Sequence, residues 1–127
     1  MAKIETTPLP FVPPTSWTPT DQSGGGLTFT GVSAQYCQHG NMVFAYGTLT
    51  FPSTADTHQA TISLPVAVPN QSYAAVFGSI LGYAANEFIK AVAGTSTAQI
   101  LGAALATQQN SNLSTKTITF MIVYPAS

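Results

Sequence analysis

The chain has 127 residues, of which 6% are charged, and a formal net charge of −1. That length suits one domain with a real core. Charge this sparse excludes electrostatic steering toward nucleic acid or an anionic membrane. Its ionic residues are Lys3, Glu5, Asp21, Asp56, Glu87, Lys90 and Lys116, with no arginine. A soluble monomer usually covers itself with mixed charge. Either this chain presents a neutral surface of Thr, Ser, Gln and Asn, or neighbouring subunits cover much of it. The second reading is favoured, because charge is depleted at the centres of protein interfaces. The lone Cys37 rules out an internal disulfide and a multi-cysteine zinc site, and reads as a small buried hydrophobe. No signal peptide is expected, and no apolar run reaches the roughly 20 residues of a membrane span.

Residues 1–20 read as an extended docking arm. Pro8, Pro10, Pro13, Pro14 and Pro19 forbid a helix, make it hard for the arm to join a sheet ladder, and favour polyproline backbone. The arm also carries Ile4, Leu9, Phe11, Val12 and Trp17, which disordered tails usually lack. These five are the candidate docking residues, lying along a neighbouring subunit. The alternative is a loose terminus whose last turn packs on its own domain.

Residues 21–127 read as one β-domain. Asp21 to Gly26 is a glycine turn, since a phosphate loop would need a following Lys-Ser/Thr and a helix. Strands are expected at Leu27 to Val32, Ser33 to Gln38, Met42 to Phe51, Gln59 to Leu64, Tyr73 to Gly82, Glu87 to Val92, Ala98 to Thr107 and Thr115 to Tyr124. His39-Gly40-Asn41 turns the central hairpin. Alternation places Val43, Ala45, Leu49 and Phe51 on one face of the Met42 to Phe51 strand. Met42, Phe44 and Tyr46 lie on the other, and a strand apolar on both sides wants burial on both. Those three are the candidate subunit-interface residues. Ala60, Ile62 and Leu64 are expected inward, and Ile118, Phe120, Ile122 and Tyr124 share one face of the last strand, opposite Thr117, Thr119, Met121 and Val123. Polar loops are expected at Pro52 to His58 and Gln108 to Asn112. Helices over Tyr83 to Ala93 or Ala98 to Ala106 are the less favoured alternative. About eight short strands between turn signals give an all-β, antiparallel sandwich or jelly roll, with a barrel as a further option.

Little in the sequence supports catalysis. Asp56-Thr57-His58 and abundant serines could be drawn as a triad, but no Gly-x-Ser-x-Gly elbow orients a nucleophile. Asp56 and His58 read as a solvated loop tip. Cys37-x-His39 with His58 lacks the ligands for zinc unless a threefold axis supplies them. No cofactor is expected. Tyr73, Tyr83, Gln108, Gln109 and Asn110 could serve carbohydrate recognition.

Trp17-Thr18-Pro19-Thr20 before a glycine stretch, then Tyr36-x-x-x-Gly40-x-x-Val43, then Ser63-Leu64-Pro65 resembles small β-modules of tailed-phage virion proteins. The likeness covers Trp17 to Pro65. It implies a jelly-roll or knob-like sandwich, a homotrimer, and a place on the surface of the virion. Its Trp would cap the bottom of the sandwich, and no catalytic residue carries over. Two roles compete within it. One is a capsid decoration or cement protein contacting the major capsid protein. The other is a tail-fibre tip binding a host-surface glycan. The absence of a heptad shaft or stalk in the chain favours decoration.

Overall fold

The computed structural model describes residues 13–81 and 87–127. Within these, eight antiparallel strands form one curled sheet. The strands are β1 (Thr15–Trp17), β2 (Thr30–His39), β3 (Met42–Thr50), β4 (Thr61–Ser63), β5 (Phe77–Leu81), β6 (Phe88–Ala91), β7 (Thr97–Leu101) and β8 (Thr117–Pro125). Their order across the sheet is β1-β2-β3-β8-β5-β6-β7-β4. Two three-stranded meanders, β1-β2-β3 and β5-β6-β7, are thus joined by β8. No described helix is long and apolar enough to cross a membrane.

The alternation seen in the sequence builds the core. Ile118, Phe120, Ile122 and Tyr124 are buried on β8, and Val43, Ala45 and Leu49 face them from β3. Ile80, Ile89, Ile100 and Ile62 continue the same buried cluster through β5, β6, β7 and β4. The Tyr124 hydroxyl donates to the Val66 carbonyl at 2.9 Å and accepts from the Val66 amide at 3.2 Å. Burial pushes its pKa up to about 12.

Several boundaries differ from expectation. Leu27 to Val32 and Ser33 to Gln38 do not make separate strands; one strand starts at Thr30 and carries a bulge. Gly31, at φ 58°, takes the left-handed conformation that such a bulge uses. The strand expected from Tyr73 starts at Phe77, after a single 3-10 turn over Ser72–Ala74. The strand expected to reach Thr107 stops at Leu101, because the chain then turns through Ala104 and Leu105 at φ 56° and 59°. The polar loop at Gln108 to Asn112 contains a 3-10 turn over Asn110–Leu113. Part of the less favoured helix, Tyr83 to Asn86, lies outside the described residues; Phe88–Ala91 and Thr97–Leu101 are strands.

The leader's last part also departs from expectation, because Thr15–Trp17 does join the ladder, opposite Ala34 to Tyr36 of β2. A three-residue edge strand needs few of the amides that the flanking prolines lack. The chain then crosses to the opposite edge of the sheet. There the Gln22 amide donates to the Thr61 carbonyl at 2.8 Å and the Ser63 amide to the Thr20 carbonyl at 2.9 Å.

Two glycines test this packing differently. A Cβ on Gly78 of β5 would lie 2.2 Å from the Met121 carbonyl oxygen and 2.8 Å from Ile89 Cγ2. Gly40, at φ 58° in the β2–β3 turn, has open space around it. Gly78→Ala is expected to cost about 2–3 kcal/mol through overpacking. Gly40→Ala should cost only about 1–2 kcal/mol, through the left-handed backbone alone. Urea unfolding of both variants checks the order.

Candidate functional site

The outer face of β2, β3, β8 and β5 is the most distinctive surface among the described residues. Register fixes it as three rows of side chains. The first is Cys37, Phe44 and Val123. The second is Gln35, Tyr46, Met121 and Ser79, and the third Ser33, Thr48, Thr119 and Leu81. Phe44 and Tyr46 are each 37% exposed, Met121 53% and Leu81 68%. With Phe77 they make five of the seven large hydrophobic side chains described as exposed. Contiguous apolar exposure of this kind marks interaction surfaces. Charge is confined to its margin, where the Lys90 ammonium lies 5.7 Å from the Phe77 ring centroid.

The face carries two grooves that share Tyr46 and Met121 as walls. The one nearer the β2–β3 turn holds about 290 Å³ and is lined by Cys37, His39 and Phe44 as well. His39 stands edge-on to Phe44, with ring centroids 6.1 Å apart. The larger groove, about 580 Å³, is bordered by the hydroxyls of Ser33, Thr48, Ser79 and Thr119 and by Leu81. Gly47 also lines it, and a Cβ there would point inward, 2.5 Å from Ala34 Cβ.

The candidate interface residues therefore point away from the core. Phe44 and Tyr46 are exposed and Met42 is half-buried. Of the candidate docking residues, Ile4, Leu9, Phe11 and Val12 lie outside the described residues. Trp17 is described and packs inward on its own core. Its ring meets Phe120 edge-on at 6.1 Å, and its Nε1 donates to the Gln35 carbonyl at 3.2 Å. Trp17 thus packs, half-buried, against its own domain, as the alternative reading of the leader has it. Met121, Leu81 and Phe77 were missed as members of the face. The signal for Met121 was its position among Thr117, Thr119 and Val123 on the outward side of β8.

A second cluster lies where three loops meet. Asp56 accepts from the Asn110 amide at 2.7 Å and holds the His58 ring at 2.8 Å. The Asn110 amide also donates to Ser23 Oγ at 2.8 Å. Ser23 Oγ donates to Asp21, whose other oxygen accepts the Leu27 amide at 2.9 Å. Gly25 lies close against it, since a Cβ there would fall 2.5 Å from Asp56 Oδ2. His58 is exposed, as expected of a solvated loop tip, but Asp56 is half-buried, and through Asn110 it clasps the glycine turn to the Asn110–Leu113 turn. Asn110 is fully buried, so it is no surface amide for a sugar. The Ser23 hydroxyl bonds Asp21, Asn110 and the Gly25 amide. Among the described residues no three His, Cys, Asp or Glu side chains converge on a metal position.

No family model, curated protein or solved structure matches this chain.

The clasp makes stability depend on pH. The His58 ring, and then the Asn110 amide, hold the Asp56 carboxyl below its ordinary 3.8. A lowered folded pKa gives stability that is complete above the unfolded value and lost as pH falls through the folded one. Glu87 has the opposite sign: burial raises it above 4.5, so its ionisation costs stability as pH rises through the folded value. Asp56→Asn should flatten the acid limb of a stability–pH curve below about pH 4. Glu87→Gln should remove the loss that begins as pH rises above the ordinary glutamate value. Asn110→Ala should cost about 1–3 kcal/mol, because it strips partners from Asp56 and Ser23. Thermal melts across pH 2–8 (a range set by the carboxylate values near 4) measure all three.

Proposed function

We propose that this chain is a non-catalytic structural β-module that associates with copies of itself, as a homotrimer, through its outer sheet face. The observation that carries the reading is that face: apolar side chains in register on four adjacent strands, with charge only at its margin. Burying exposed apolar side chains is worth about 25 cal/mol per Å², so Leu81, Met121 and Phe77, the most exposed of the five, would contribute most of the gain. The scarcity of charge in the whole chain agrees, since a surface that is covered in use needs few ions to keep it soluble.

The residues of Trp17 to Pro65 extend the proposal to place. On their likeness to tailed-phage virion modules, the protein sits on the surface of a phage particle. There it serves as a decoration or cement protein against the major capsid protein. The sandwich or jelly-roll class belongs to the same reading; the curled antiparallel sheet is compatible with it.

One observation favours a second role, that of a tail-fibre tip. The larger groove sets the Tyr46 ring beside four hydroxyl side chains, a combination suited to stacking and hydrogen-bonding a host-surface sugar.

Sedimentation at micromolar concentration is expected to give three times the monomer mass. Tyr46→Glu should shift it to a folded monomer. A wild-type monomer at that concentration would overturn self-association. Immunolabelled electron micrographs of particles should mark the head, whereas label at fibre ends, with purified protein blocking infection, would favour the second role.

A further inference from the structure

The smaller groove has the chemistry of a peptide site. Cys37, His39, Phe44, Tyr46 and Met121 line it, and none carries a carboxylate or an ammonium. The Tyr46 hydroxyl bonds Gln35 at 3.2 Å, and His39 packs edge-on to Phe44. These rings are held in place, so a ligand would not have to order them. Proline-rich segments in polyproline form dock on such aromatic-lined grooves.

The same chain carries a segment that matches. Residues 1–12 precede the described part and end in Pro8-Leu9-Pro10-Phe11-Val12. Prolines lack the amides needed to extend a sheet edge, so this stretch suits a face better than an edge. The register of β1 sets Thr15 opposite Tyr36, which carries Pro14 and Pro13 toward Cys37 and Gln38 at the groove's end of the sheet. Pro13 precedes Pro14 and is held extended. Pro13 and Pro14 thus run along the edge of the sheet toward the β2–β3 turn, and not across its face. In polyproline form its twelve residues reach about 37 Å, at about 3.1 Å each. Four strand spacings cover only about 19 Å. A segment of that length would be long enough to cross the face of an adjoining copy.

We propose that Leu9 to Phe11 of one copy fill the groove between Phe44, Tyr46 and Met121 of the next. The inference rests on the self-association reading and names what covers part of the face. Each copy then gives one leader and receives one, a head-to-tail contact that closes into a ring when the rotation allows.

The test uses full-length chains and native mass spectrometry. A leader variant carries Leu9→Asp and Phe11→Asp. A groove variant carries Phe44→Asp and Met121→Asp, both at exposed positions. Circular dichroism checks that each folds, with Phe44→Ser as the milder groove variant if one does not. Each variant alone should be a monomer. Their equimolar mixture should give a 1:1 heterodimer and nothing larger, because it holds one intact leader for one intact groove. Phe11→Ala alone should weaken wild-type association roughly 30-fold, as loss of a buried anchor does. If the leader variant keeps the wild-type mass while the groove variant dissociates, the face meets a neighbour's body. The leader proposal then falls and self-association stands. If both variants are monomers and the mixture stays monomeric, exchange between copies is overturned. A wild-type monomer would overturn both readings.

Discussion

The pairing of β3 with β8 is the constraint on which the structure depends. Nine consecutive residue pairs join Met42–Thr50 to Thr117–Pro125. The strands lie far apart in the chain; Thr48 Oγ1 donates to the Ile118 carbonyl across 70 positions. A slip of one residue would turn every inward side chain of β8 outward. Ile118, Phe120, Ile122 and Tyr124 would leave the core together. The same register sets Tyr46 beside Met121 and Phe44 beside Val123, so core and outer face are fixed by one set of hydrogen bonds. It also joins two meanders whose internal pairings are local. Closing so long a loop carries an entropic cost that local hairpins avoid.

Alternation made the core legible. Val43, Ala45 and Leu49, then Ala60, Ile62 and Leu64, then the four inward residues of β8 are all buried as their period of two requires. Turn chemistry placed the hairpin at Gly40. Neighbour order across the sheet was not legible, because nothing local in β4 or β7 states which strand lies beside which. Strand ends were missed where positive φ intervened, at Gly31 and at Ala104 and Leu105. The composition of Leu27 to Val32 could not reveal that a bulge would merge it with the next strand.

The candidate site divides along the same line. That Met42, Phe44 and Tyr46 oppose the core follows from alternation on one strand. Their neighbours Met121 and Leu81 enter only through tertiary register, which brings distant strands side by side. The polar clasp was hidden for a related reason. Asp21, Ser23, Asp56 and Asn110 are separated by loops, and the burial of Asn110 follows from three turns meeting. For Trp17 the proline-rich leader left two readings open, and the β1–β2 ladder is what turns its ring onto Phe120.

The crossing of residues 20–22 from one margin of the sheet to the other has a wider consequence. A chain with so few ions and so many β-forming residues has the composition of an aggregation-prone sequence. Exposed margins would let copies stack through their backbones without limit. Here one margin is occupied by the chain itself at Thr61 to Ser63, and the other is three residues long with prolines on either side. Among the described residues both margins are thereby shortened as templates for fibrous growth, which favours contact through side chains, whose shape can count partners where a bare ladder cannot.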